Sequence, residues 1–235
     1  MSAPRSRSAG LLAALVLAAA LAVGHDAHAG ASAVATPAAA PAPGDALTLE
    51  TLMHHFATTN GVRAEFREVK EIALLDAPLV SEGVLYFVPP RRFARFTTRP
   101  GSSSFVIDGD HLAFRDETGG DTVDLSSNRV ARAIVDNMIG LWSGDLAALR
   151  DQYEVGFETD GPRWRIRLRP LHAPVDKLIA HIVLEGDGAQ LSRMELLETG
   201  GDRTVTTFHD TQVDRRFTPA EMARIFPRDG AAPRP

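Results

Sequence analysis

The chain has 235 residues, 25 of them basic and 30 acidic, for a formal net charge of −5 and no cysteine. That balance argues against general nucleic-acid binding, which needs a basic surface, and the missing cysteines exclude disulfides and thiolate metal sites. Phenylalanine supplies 11 of the aromatic residues against two each of Trp and Tyr, so any aromatic packing rests on rings without a polar tip.

Arg5 and Arg7 give a basic start, Leu11 to Val23 is an apolar run of 13 residues, and Ala27-His28-Ala29 precedes Gly30. This is the order of a secretory signal peptide cut after Ala29, and the run falls short of the ~20 residues a spanning helix needs. The expectation is residues 1–29 as a cleaved signal and a soluble, unanchored product. Export without cysteine suits the bacterial periplasm. Gly30 to Asp45 is an Ala/Pro-rich tether of low complexity, read as disordered. Residues 46–227 remain, enough for one domain with a real core, and 228–235 read as a flexible tail.

Within that domain Thr48 to Thr59 sets Leu49, Leu52, Met53 and Phe56 at helical spacing, closed by Asn60-Gly61. Val62 to Leu75 reads as a long strand with Val62, Ala64 and Phe66 on one face. Val84-Leu85-Tyr86-Phe87-Val88 is apolar on both faces and ends at Pro89-Pro90, neither of which can donate to a ladder. Phe93 to Phe96 starts the next strand, and Arg99-Pro100-Gly101-Ser102 turns the chain. Phe105-Val106-Ile107 then meets His111-Leu112-Ala113-Phe114 across Asp108-Gly109-Asp110, a hairpin signal.

Ser126-Ser127-Asn128 caps a second helix whose stripe is Val130, Ala133, Ile134, Met138, Leu141 and Trp142. A short helix from Asp145 to Arg150 follows. Strands then fit Tyr153 to Phe157, Arg163 to Arg169, Leu178 to Leu184, Leu191 to Leu197 and Thr204 to Thr211, with a last turn at Pro219 to Ile225. The second of these alternates Trp164, Ile166 and Leu168 against Arg163, Arg165, Arg167 and Arg169, a basic stripe that reads as a solvated face or as a docking surface for an acidic partner.

The fold class is therefore α+β: a strongly curved antiparallel sheet of about ten strands, an unclosed half-barrel covered by internal helices. Its apolar face needs a cover, either the protein's own helix or a greasy ligand. Catalytic patterns are thin. His54-His55 are adjacent on a helix and point about 100° apart, Asp108-Gly109-Asp110-His111 is explained by a hairpin tip, and neither an HExxH nor a GxSxG motif occurs. No enzyme, metal or cofactor is expected.

The ordered pieces resemble the periplasmic lipoprotein carrier LolA and its relatives, over nearly all of the domain. They are the N-terminal helix, Ala64-Glu65-Phe66 with Lys70 downstream, Ser81-x-Gly83 before a strand and Pro90 followed by Phe93. Pro100, the Asp108-Gly109 hairpin, the mid-chain apolar helix and the strand Thr204-Val205-Thr206-Thr207-Phe208 complete the series. The resemblance implies a soluble monomeric carrier that shelters acyl chains in an apolar cavity. Such a carrier takes a lipoprotein, or a glycolipid or polyene-type lipid, from an inner-membrane export complex to an outer-membrane acceptor. It implies a cavity lined by Phe66, Leu85, Phe87, Phe93, Phe96, Phe105, Ile107, Leu112, Phe114, Ile134, Met138, Leu141 and Trp142.

Typical members carry an arginine just before the proline that opens the third strand, and it helps hold the lid shut. Pro89 stands there in this chain, so Arg91 and Arg92 become the candidate lid residues, bonding helix carbonyls, with Arg95 beside them as a lid or docking residue. Arg95 falls where the family has tryptophan, and Arg67-Glu68 replaces the usual glutamine. These departures mark a divergent member. The alternative is a periplasmic sensor or interaction module on the same scaffold.

Overall fold

The computed structural model describes residues 47–227 and 232–235. The signal-peptide and tether readings, and part of the tail, lie outside the described residues.

One sheet organises the molecule. Strand β1 (Val62–Glu71) is followed by β2 (Leu79–Val88), β3 (Arg92–Arg99), β4 (Ser103–Asp108), β5 (His111–Asp116) and β6 (Gly119–Asp124). After two helices come β7 (Tyr153–Asp160), β8 (Arg163–Pro170), β9 (Ile179–Asp187), β10 (Gln190–Glu198) and β11 (Arg203–Gln212). The spatial order is β6-β5-β4-β3-β2-β1-β11-β10-β9-β8-β7, every pair antiparallel, so the sheet ends in two free edges. The expected α+β half-barrel is the fold, with eleven strands. The extra one is β6, whose Gly-rich and polar GGDTVD carries no strand signal of its own.

Helix α1 (Leu49–Thr58) starts at Thr48, whose hydroxyl accepts from the Thr51 N–H while the Thr51 hydroxyl accepts from the Thr48 N–H. Helix α2 (Arg129–Ser143) is capped by Asn128, and α3 (Leu146–Gln152) by Asp145. The one-turn α4 (Val175–Leu178) takes Leu178 out of the expected strand, and α5 (Pro219–Ile225) closes the order.

Three apolar clusters divide the interior. On the concave face, Ala131, Val135 and Ile139 of α2 pack on Phe66, Leu85, Phe87, Phe93, Ile107 and Phe208. Beside them α1 and α3 press Leu52, Met53 and Leu149 onto Trp164, Ile166, Leu168 and Leu184. The convex face has its own cluster, in which Ile225 and Phe226 cover Val84, Tyr86, Ala94, Phe96 and Val106. That cluster explains why β2 is apolar on both sides.

Two expectations change in detail. The first strand ends at Glu71, and Leu74 stands 94% exposed in the turn beyond it. The buried seam of α2 is Ala131, Val135 and Ile139, while Val130 is exposed; the stripe read from the sequence is rotated by about one residue.

Two glycines are required where surfaces touch. A Cβ on Gly144 would lie 2.3 Å from the Met53 carbonyl oxygen, and the residue has φ +69°, so α2 ends in a left-handed turn against the backbone of α1. A Cβ on Gly83 would come within 1.9 Å of the Phe96 oxygen, at a register shift in the β2–β3 pairing.

Candidate functional site

The concave face runs from apolar to polar along β1. Val62, Ala64 and Phe66 are followed on the same side by Glu68 and Lys70, since side chains two apart share a face. Against this row lie Leu85 and Ser81 of β2 and Phe208 and Thr206 of β11, set opposite by the ladder registers. Helix α2 covers the row without filling the space beneath it.

Two cavities result. The first, of about 340 Å³, lies toward the end of α1 and is lined by Phe56, Val62, Ala64, Leu184 and Leu191 with His55, Asn60 and Asp214 at its edge. The second, of about 210 Å³, is lined by Phe66, Leu85, Phe93, Phe105, Ile134, Met138, Ile182 and Leu196. Leu141, Trp142, Met194 and Phe208 line both and so stand between them. The Trp142 indole packs against Phe87, Phe93 and Phe208 with ring centroids 6.3, 5.9 and 5.9 Å away, within the range of aromatic pairs. Each compartment approaches or enters the size of small-molecule sites.

Of the thirteen residues expected to line a cavity, Phe66, Leu85, Phe93, Phe105, Ile134, Met138, Leu141 and Trp142 do so. Phe87, Ile107 and Leu112 share the concave side but are packed as solid core, at most 3% exposed. Phe114, half-buried near the sheet edge opposite Phe105, borders neither cavity. Phe96 is a correction. It follows Phe93 by three residues on a strand with period two, so it points to the convex face and packs under Ile225 and Phe226.

The arginines also separate. Arg91 reaches α2, with its guanidinium 2.5 Å from the Asp136 carboxylate while Nε donates to the Gly109 oxygen. Arg132 returns the connection from the helix to Asp110 at 2.9 Å. The partner of Arg91 on the helix is thus a carboxylate, where a carbonyl was expected. Arg92 is corrected as well: it pairs with Asp108 of β4 at 2.6 Å and does not touch the helix. Arg95, expected as a lid or docking residue, instead lies inside, where Nη2 donates to Glu68 Oε1 at 2.9 Å and the guanidinium stacks on the Phe66 ring at 4.3 Å.

Glu68 in turn accepts from the Thr206 hydroxyl at 2.9 Å. Lys70, 1% exposed, donates to Glu198 at 2.9 Å. These buried polar groups escaped the sequence reading, although the alternation already placed Glu68 and Lys70 in phase with Phe66.

The stripe on β8 resolves to the solvated face. Arg165 pairs with Glu185 at 2.6 Å, Arg167 lies 3.8 Å from Glu158, and Arg169 pairs with Glu154, so three of its four arginines have acidic partners on the sheet surface, and Arg163 has no ion pair among the described residues. Glu65, His209 and Asp210 bring three possible ligand atoms within 4.8 Å on the outer surface, but Glu65 is already held by Arg63 at 2.8 Å. Among the described residues no helix is long and apolar enough to cross a membrane.

The family model for "Outer membrane lipoprotein carrier protein LolA-like" matches residues 38–215. Similar solved structures include a LolA superfamily protein of Nitrosomonas europaea, 10% identical, with 75% of this chain covering 97% of that one and a TM-score of 0.42. A putative outer membrane lipoprotein-sorting protein domain of Vibrio parahaemolyticus is 9% identical, with coverages of 74% and 94% and a TM-score of 0.41. MucB is 14% identical, with coverages of 74% and 61% and a TM-score of 0.43. No curated protein matches the sequence.

Proposed function

The chain belongs to the family of LolA-like outer membrane lipoprotein carrier proteins, and on that footing we propose that it is a periplasmic carrier of acylated cargo. The observation that supports this reading most is the pair of apolar cavities meeting at Trp142 under α2. A helix serving only as core would leave no such space, since protein interiors pack with few voids larger than a water molecule.

The energetics favour the same use. Each CH₂ taken out of water is worth about 0.8 kcal/mol, so a chain of moderate length gains enough to cross an aqueous gap in the protein. Leu141, Trp142, Met194 and Phe208 are common to both compartments, so a chain that displaces Trp142 passes from one into the other. The cargo, a lipoprotein or another acylated lipid, would be received from an inner-membrane export complex and delivered to an outer-membrane acceptor.

Fluorescence separates this from an interaction module on the same scaffold. Trp142 borders both cavities, whereas Trp164 is buried against Gly186 with its indole N–H donating to the Gly188 oxygen. A bromine-labelled fatty acyl chain should quench wild-type emission and leave the Trp142→Phe variant unquenched while still binding it. A protein that binds no chain in either form would contradict the carrier reading and favour the interaction module.

A further inference from the structure

We infer that the inner cavity recognises the carbonyl group of an ester- or amide-linked acyl chain through Arg95, so that the cargo is an acyl derivative and not a bare hydrocarbon or a free fatty acid. This rests on the cavity reading above and adds a chemical class to it.

A guanidinium in an apolar cavity is costly. Arg95 is 15% exposed and borders the compartment that also holds Phe66, Phe93 and Phe105. Burial of such a group is unfavourable unless its donors are met. Only Nη2 is met: it donates to Glu68 Oε1 at 2.9 Å, with the Ser81 hydroxyl at 3.4 Å. Among the described residues Nε and Nη1 have no acceptor, while the Phe66 ring 4.3 Å away fixes the plane of the guanidinium.

Both Glu68 oxygens are already engaged within the corner. One oxygen takes Arg95 and the other takes the Thr206 hydroxyl. The corner therefore presents donors, and it presents them without net charge, because Arg95 is matched by Glu68 and Lys70 by Glu198. A neutral acceptor satisfies the free N–H groups at no electrostatic cost, whereas a free carboxylate would meet the Glu68 carboxylate beside its partner. An ester or amide carbonyl at the head of a chain has the required chemistry: one oxygen accepting from Arg95, with the hydrocarbon running along Phe93 and Phe105 toward Trp142.

The test is displacement of a fluorescent alkyl probe from the mature full-length protein by methyl laurate, N-methyl lauramide, laurate and dodecane. Wild type should bind the ester and the amide more tightly than dodecane by about tenfold, the worth of a hydrogen bond to a charged donor, and more tightly than laurate. Arg95→Met should remove that advantage while leaving dodecane affinity within about twofold. Because this change strands Glu68, the double variant Glu68→Gln/Arg95→Met is measured beside it and should behave the same way.

Equal affinity of wild type for all four chains would overturn the assignment and leave the carrier reading standing. A preference for laurate would overturn the neutral-acceptor class. Parallel loss of ester and dodecane binding in both folded variants would make Arg95 purely structural. Failure of wild type to bind any of the four would overturn the cavity reading and this inference together.

Discussion

Phe93 and Phe96 show how far apart two neighbouring side chains can stand in consequence. Both are nearly fully buried, and truncating either to Ala should cost about 3–5 kcal/mol of stability. Only Phe93 borders a cavity. Chemical denaturation should therefore find Phe93→Ala and Phe96→Ala comparably destabilised, while chain affinity measured on the folded proteins falls for Phe93→Ala alone. Loss of affinity in Phe96→Ala would refute the assignment of faces. Gly83→Ala belongs to the same scale: its methyl would press on the Phe96 carbonyl at 1.9 Å and the Phe66 ring at 2.9 Å, so the variant should be several kcal/mol less stable, by about the cost of overpacking a core.

At the scale of elements, α5 and the charged outer ladder carry the stability of the convex side. Ile225 is fully buried over β2, β3 and β4, and Ile225→Ala should cost about 2–5 kcal/mol without changing chain binding by the folded protein. On β10, the Arg203 guanidinium holds the Glu195 carboxyl down at about 2, helped by Arg193 against its partial burial. A depressed carboxyl contributes stability above its unfolded pKa and loses it as pH falls toward the folded value. The difference in melting temperature between wild type and Glu195→Gln should therefore be full at neutral pH and close between about pH 4.5 and 2. A difference independent of pH across that window would show that the charge contributes nothing.

Much of this order was legible in the residues. Alternation located the core strands, Asp108-Gly109 the hairpin, and Asn128 the start of α2, because each signal is local. Strand β6 was not legible, since only its pairing with β5 makes Gly119–Asp124 extended. The exchange of Phe96 for a core position had a different origin: a count of phenylalanines ignores which face each one takes. Arg95, Glu68 and Thr206 were invisible as a unit because they come from three strands, and Thr206 is 138 positions from Glu68. Only the sheet order, with β1 between β2 and β11, brings them together.

For the molecule as a whole, α2 is the helix that covers the cavities. It is held at the rim by the Arg91–Asp136 and Arg132–Asp110 pairs, both partly exposed. Exposed pairs are worth ~0–1 kcal/mol each, a hold weak enough to release at a membrane. Asp136→Asn should raise the rate at which a bound chain leaves by a few-fold at low salt, with the effect shrinking as salt screens the pair; unchanged release in stopped-flow displacement would remove Arg91 and Asp136 from lid control.

The account stands or falls on whether the space beneath α2 holds a chain in the cell. Native mass spectrometry of the protein purified from its own cells, followed by lipid extraction, reads this directly. The carrier account predicts an added mass that extracts as an ester- or amide-linked acyl species. A protein that arrives empty, and stays empty when offered acyl chains, would contradict it.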